Sequence, residues 1–419
     1  MLFSNQTFLV AGLSRSGIAA AEHLLLHGAK VYCFDDAEEG GVPAAKRALS
    51  DKGCRIVAKE ELSARAEECD ILVLSPGIPI DHPLPLLFRR QKKRVMGEME
   101  LGALALRSPA VAVTGTNGKT TTVTMLEAVF RASGRRSLPC GNIGLPLCAA
   151  VRDLTEDGAA LIEVSSFQLE TLSSLRPHVA VILNIAEDHL DRHYNMENYI
   201  YLKRRLLKNC TESEYAVLNF DDRVVRSFAE QTKAHIVWFS RQERVDGAYF
   251  AEDALYFRGE RVMGAEELAV QGEHNLENAL AALAAARLMG IGNEAIVSAF
   301  SSFKGVAHRI ERVFEANGVT FIDDSKATNV DSCRKALASL DRETVLILGG
   351  KDKGERYEPL FAAIKRSRVV HAVLCGENAF RLMNAAMEEG FTSVTLCRPF
   401  DVAVRVACLT ARPGQNVLL

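Results

Sequence analysis

The residues Gly115-x-x-Gly118-Lys119-Thr120 follow the apolar run Val111-Ala-Val and lead into Thr121 and Thr122. Glycines, a lysine and a hydroxyl in that order suit a phosphate. Backbone N–H groups at a helix start face its oxygens, the Lys119 ammonium reaches the outer ones, and the Thr120 hydroxyl can ligate Mg2+. The longer common loop, G-x-x-x-x-G-K-[ST], needs a glycine where Val113 stands, so this is a shortened form. The pattern predicts an ATP site. Its alternative is a lysine-bearing helix cap.

Glu163 ends the apolar run Leu161-Ile, and His189 follows the apolar run Val181-Ile-Leu. Strand ends in an α/β sheet share one edge with such a phosphate loop, so Thr120, Glu163 and His189 are candidates to converge on a metal ion. Taken singly, the acid reads as a helix cap and the histidine as a surface residue. Lys203, in Tyr199-Ile-Tyr-Leu-Lys203, reads on its residues alone as an ordinary lysine of an amphipathic helix.

A second glycine turn, Gly12-Leu-Ser14-Arg-Ser-Gly17, follows the first apolar run, with Asp35 after the next. This is close to the dinucleotide fingerprint G-x-G-x-x-G with a distant acid. Ser14 replaces the middle glycine and holds the backbone away from a pyrophosphate, which counts against a nicotinamide cofactor. A nucleotide or nucleotide-sugar site and a ligand-free tight turn both remain open. Ser75-Pro-Gly77 marks another turn past a strand end.

These turns need elements to place them. Strand-like runs at 7–11, 30–34, 70–74, 110–114, 160–164, 180–184, 343–348, 371–375 and 393–396 alternate with helical patterns. Such alternation predicts an α/β protein with parallel sheets and helices on both faces. At 419 residues the chain exceeds one ordinary core. Residues 97–109 read as a helix plus linker and 303–308 as a second boundary, giving three domains at 1–96, 97–303 and 304–419.

Hydrophobic residues at 48%, charged residues at 25% and a net charge of −3 exclude the basic surplus of a nucleic-acid binder. No apolar run is long enough to span a bilayer, and the opening residues lack the basic region of a signal peptide. Ten cysteines without a CxxC pair fit reduced thiols in a cytoplasm.

Seven segments carry a resemblance: Thr114-Gly-Thr-Asn-Gly-Lys-Thr120, Gly141-Asn-Ile-Gly-Leu-Pro146, Glu163-Val-Ser-Ser-Phe-Gln-Leu-Glu170, Asn184 through Asp188-His-Leu-Asp191, Gly272-Glu-His-Asn275, Ala307-His-Arg309 and Asp324-Ser-Lys-Ala-Thr-Asn329. The chain resembles the Mur ligase family from its first strand to its last. SSFQLE and DSKATN resemble the branch that adds D-glutamate.

The resemblance implies a Rossmann-like N-terminal domain for a UDP sugar, a central phosphate-loop ATPase and a Rossmann-like C-terminal domain for the amino acid. It implies ATP-dependent joining of D-glutamate to UDP-N-acetylmuramoyl-L-alanine through an acyl phosphate, a cytoplasmic step of peptidoglycan precursor synthesis, by a monomer. Ser14, Arg15, Ser16, Asp35, Asp36, Gly77, Asn142 and Ser165 match UDP-sugar positions. Gly115, Thr116, Asn117, Gly118, Lys119, Thr120 and Thr121, with Asn275, Arg309 and Asp324, match ATP positions. Lys326, Thr328 and Lys353 match the glutamate end of the cleft, where cations suit a dicarboxylate.

Lys119, Glu163, His189 and Lys203 match catalytic positions. Thr120, Glu163, His189 and a carbamylated Lys203 match the ligands of two Mg2+ ions. In the family the last strand runs into a Ser-Pro-Ala segment and a tail whose serine and phenylalanine contact the glutamate. The sequence ends at Leu419 without them, which implies weaker glutamate affinity with fold and UDP-sugar binding retained. Another Mur-type or folylpolyglutamate-type ligase and a non-catalytic UDP-sugar-binding homologue stand as alternatives.

Overall fold

The computed structural model describes residues 3, 5–37, 42–270 and 272–419. They form two compact units. One comprises Met1–Asn184, Tyr199–Ala269 and Leu276–Phe303; the other comprises Ile185–Asn198, Val270–Asn275 and Lys304–Leu419.

The first unit holds two sheets. In the first, β1 (Thr7–Ala11), β2 (Lys30–Phe34), β3 (Arg55–Ile56), β4 (Ile71–Leu74) and β5 (Arg94–Gly97) run in the order β3-β2-β1-β4-β5. Every pairing is parallel. Phe8 and Val10 of β1 enter one core cluster while Leu9 and Ala11 enter another. Both faces are therefore covered, which is why these strands read as unbroken apolar runs.

The second sheet contains β6 (Ala110–Thr114), β7 (Ser137–Gly141), β8 (Ala159–Glu163), β9 (Val179–Ile182), β10 (Tyr215–Asn219), β11 (His235–Ser240), β12 (Gly247–Ala251), β13 (Ala254–Phe257) and β14 (Glu260–Gly264). Their order is β14-β13-β12-β11-β10-β9-β6-β8-β7. Pairing is parallel from β7 across to β12 and antiparallel from β12 to β14. The antiparallel edge departs from the expected all-parallel sheet. Glu252 and Asp253 (φ 51° and 52°) link β12 to β13, and Arg258 and Gly259 (φ 49° and 85°) link β13 to β14. Two-residue loops with both φ positive are hairpin turns, too short for a parallel crossover.

The second unit carries β15 (Glu311–Ala316), β16 (Val319–Asp323), β17 (Thr344–Gly350), β18 (Val369–Gly376), β19 (Val394–Leu396) and β20 (Asn416–Leu418), in the order β15-β16-β20-β17-β18-β19. β15 and β16 form an antiparallel hairpin across Asn317-Gly318, whose φ values of 51° and 75° suit this pair. The last strand, β20, lies between β16 and β17 and is parallel to both. Leu346 and Leu348 pack on one face, Val345 and Ile347 on the other.

Candidate active site

In the first unit, β6 is buried at every position and delivers the chain to Gly115 at its C-terminal end. Helix Lys119–Ala132 then starts from Gly118, which adopts a left-handed conformation (φ 85°). A Cβ at Gly118 would lie 2.1 Å from Asn278 Oδ1, so shape and conformation both require glycine.

Asn184, just past β9, braces this loop. Its carbonyl accepts from Thr116 N–H (2.9 Å), its Oδ1 from Asn117 N–H (2.8 Å), and its Nδ2 donates to the Asn117 carbonyl (3.2 Å). The Lys119 ammonium donates to the carbonyls of Gly115 (3.0 Å) and Thr116 (2.7 Å), folding its stem over the loop. Thr121 is buried in the first turn of the helix.

Glu163 ends β8 and is only 2% exposed. Thr120 Oγ1 donates to its Oε2 (2.8 Å), and Asn142 Nδ2 donates to its Oε1 (2.7 Å). Ser165 caps the short helix that follows, accepting from Gln168 N–H, so the Ser-Ser-Phe-Gln segment sets the turn beside Glu163. Among the described residues, no three His, Cys, Asp or Glu side chains gather as a metal cluster. The Thr120 hydroxyl and the Glu163 carboxylate are hard oxygen donors of the kind Mg2+ takes alongside phosphate and water.

Lys203 is not the surface lysine its helix pattern suggests. It is 1% exposed, and its Nζ donates to the Gly115 carbonyl (2.8 Å) and Thr114 Oγ1 (3.3 Å). Tyr199, one turn earlier on the same buried face, shares a 3.0 Å hydrogen bond with Thr116 Oγ1. Both side chains thus turn toward the phosphate loop.

Ser14, Arg15 and Ser16 open the helix after β1, with Asp35 and Asp36 past β2 and Gly77 past β4. They share the C-terminal edge of the first sheet. Asp35 is engaged by the backbone, accepting from Leu13 N–H (2.6 Å) and Ala37 N–H (2.9 Å). The Arg15 guanidinium donates to the Gly144 carbonyl, bringing the segment after Asn142 to this edge.

In the second unit, His189 has φ 55° and starts a short helix. Asp188 is 5% exposed; its Oδ1 accepts from Lys353 Nζ (3.2 Å) and its Oδ2 from Asn329 Nδ2 (3.2 Å). Asp324, just past β16, accepts from Ile310 N–H, and burial pushes its carboxyl up to about 6 against the pull of Arg309. Burial, reinforced by Arg309 and Lys335, lowers His274 to about 4, next to Asn275. Lys326 and Thr328 are exposed.

A cavity of about 600 Å3 opens at the C-terminal ends of these strands, lined by Asp324, Thr328, Asn329, Lys353 and Glu355 among others. Its apolar remainder includes Leu346, Leu360 and Leu418. Asn184, Tyr199, Asn278, Asp188 and Glu355 had no role assigned from sequence. Asn184 and Asp188 follow a buried strand, the one signal that marks strand-end positions.

A shortened phosphate loop at a parallel sheet edge, backed by a buried carboxylate, belongs to a nucleotide-dependent enzyme. Residues 113–286 match the Mur ligase middle domain and residues 308–419 match the Mur ligase glutamate ligase domain. The chain belongs to the Mur ligase family. It is 39% identical, over all of its length and 92% of the relative, to a UDP-N-acetylmuramoylalanine–D-glutamate ligase of Streptococcus equi subsp. zooepidemicus.

Its fold is similar to MurF from Acinetobacter baumannii (TM-score 0.66, 19% identity, 99% of this chain and 87% of that one). It is also similar to MurF ligase from Thermotoga maritima in complex with ADP (TM-score 0.60, 16% identity, 99% and 91%). Among the described residues, no helix is long and apolar enough to cross a membrane.

Proposed function

We propose that the chain joins D-glutamate to UDP-N-acetylmuramoyl-L-alanine at the expense of ATP, as a cytoplasmic monomer in peptidoglycan precursor synthesis. The observation that carries this reading is the Lys119 loop, tied through Thr120 to Glu163, in a chain similar over its full length to D-glutamate ligases. Residues 1–96 would take the UDP sugar, 97–303 the nucleotide and 304–419 the amino acid.

In the first step, a carboxylate oxygen of the L-alanyl group attacks the γ-phosphorus of ATP, and ADP leaves. In the second, the deprotonated glutamate amine attacks the acyl carbon, and the acyl C–O bond to phosphate breaks. A carboxylate approaching a triphosphate meets like charge, so the Lys119 ammonium and the loop N–H groups must stabilise the charge that develops.

Thr120, Glu163, His189 and a carbamylated Lys203 would hold two Mg2+ ions, which supply charge neutralisation on the phosphates when bound. A buried lysine amine that loses its proton can take up carbon dioxide, turning a cation into an anionic ligand. Burial of Lys203 at the Gly115 carbonyl supports that role. A carbamate carbon resonance after 13CO2 exchange, absent in Lys203→Met, is its test.

Ser14, Arg15, Ser16, Asp35, Asp36, Gly77, Asn142 and Ser165 would contact the UDP sugar. Asn275, Arg309 and Asp324 would contact adenine, phosphate and ribose. Lys326, Thr328 and Lys353 would face the glutamate. The test is phosphate release from ATP, Mg2+ and UDP-N-acetylmuramoyl-L-alanine with and without D-glutamate. Release that needs both substrates is expected; release indifferent to D-glutamate would end the reading.

A further inference from the structure

The cradle around the Lys353 ammonium has the chemistry of a receptor for a primary amine. Nζ donates to Asp188 Oδ1 at 3.2 Å and to the Thr328 carbonyl at 3.1 Å. A carboxylate and a carbonyl converging on one nitrogen satisfy two of an ammonium's three donors. The cradle is built from behind. Asp188 is 5% exposed, and its other oxygen accepts from Asn329 Nδ2 at 3.2 Å. Asn329 is fixed in turn, because its Oδ1 caps helix Val330–Ala338 by accepting from Ser332 N–H at 2.8 Å. These bonds hold the carboxylate in place whichever cation it meets.

A second buried carboxylate stands nearby. Glu355 is 4% exposed; its Oε2 accepts from Val330 N–H at 2.9 Å, and its Oε1 has no partner among the described residues. Burial holds its carboxyl up at about 7, and the charge of Asp188 pushes the same way while Lys353 opposes them. Lys353, Thr328, Asn329 and Glu355 line the 600 Å3 cavity, whereas Asp188 is covered. Lys353 both lines that cavity and donates to the acid.

We propose that Asp188 is the residue that recognises the ammonium of the incoming amino acid, and that Lys353 occupies this place until a substrate carboxylate draws it away. The inference rests on the D-glutamate reading above. An amino acid brings a carboxylate and an ammonium together, so the exchange conserves charge: Lys353 trades the Asp188 carboxylate for the substrate's, and the substrate ammonium takes the site that Lys353 leaves. A dicarboxylate without an amine can make only half of the exchange, and it leaves Asp188 Oδ1 buried without its ammonium, with only the Asn329 amide and the His189 ring, 3.6 Å away, on Oδ2. Selectivity for amino acids over plain diacids follows from that asymmetry.

The test compares D-glutamate with glutarate, which has the same two carboxylates and no amine, in the full chain and in Asp188→Asn. Asparagine keeps an acceptor for Lys353 or for an amine but removes the charge. The expected result is a KM for D-glutamate raised about tenfold or more, as for loss of a charged hydrogen bond. The inhibition constant of glutarate should stay level or improve, and the KM for ATP and the Mg2+ requirement should not move. Asp188→Glu should recover part of the D-glutamate affinity, which separates charge from folding.

Equal weakening of D-glutamate and glutarate would overturn the inference, because Asp188 would then act only by aiming Lys353. So would a change confined to the Mg2+ requirement, which would assign Asp188 to its neighbour His189. A wild-type enzyme whose phosphate release ignores D-glutamate would overturn the underlying reading instead, before any variant is compared.

Discussion

Thr120 Oγ1 and Glu163 Oε2 lie 2.8 Å apart, so the second residue of the helix after the phosphate loop is tied to the last residue of β8. Two strand ends that are neighbours in the sheet thereby present one hydroxyl and one carboxylate to a common point. Glu163→Gln keeps an acceptor for Thr120 or Asn142 and removes the charge. Phosphate release should fall by roughly two orders of magnitude or more, the scale on which lost electrostatic stabilisation is felt. Stability should change by about 1 kcal/mol or less. Turnover within a few-fold of wild type would show that Glu163 is only a structural anchor.

Gly118 is required twice over, by a φ of 85° and by Asn278 Oδ1, which lies 2.1 Å from where a Cβ would stand. Gly118→Ala should cost about 1–2 kcal/mol for the left-handed conformation, plus the displacement of Asn278. In urea titrations the double variant Gly118→Ala, Asn278→Ala should recover the second contribution and not the first. No recovery at all would mean that the loop, not Asn278, takes up the strain.

How far these features were legible in the sequence depended on whether their cause was local. Lys119, Thr120 and Glu163 were readable because glycines, a lysine and an acid at the ends of apolar runs fix their own surroundings. Lys203 was not, because helical periodicity identifies a face without saying what covers it; here Tyr199 and the Gly115 carbonyl do. Asp188 was hidden for the same reason, since its partner Lys353 is 165 residues away. The Asn317-Gly318 hairpin carries the strongest short-range turn signal and was open to reading, whereas Glu252-Asp253 makes a similar turn with residues that do not announce it.

Glu98 begins the helix after β5, is 2% exposed, and accepts from Cys148 N–H at 2.6 Å. Burial raises its carboxyl from 4.5 to about 7, although the Cys148 bonds pull the other way. The folded state therefore binds this proton more tightly than the unfolded chain, and stability falls as pH rises from about 4.5 to about 7. Glu98→Gln, which mimics the protonated form, should be more stable than wild type by about 2 kcal/mol at pH 8 and nearly equal to it at pH 5. A difference independent of pH would show that the carboxyl stays ionised.

His23 has the opposite sign. It is 1% exposed in the helix after β1, its ring centroid 4.3 Å from that of His27, and burial with the His27 charge lowers it from 6.5 to about 4. The unfolded chain binds the proton more readily, so stability is present above 6.5 and is lost as pH falls toward 4. His23→Leu removes the titrating ring and leaves only a packing change that does not depend on pH. Relative to wild type, the variant should gain roughly 2 kcal/mol on going from pH 7.5 to pH 5 in urea unfolding. An unchanged difference between the two conditions would mean that the buried ring does not resist protonation.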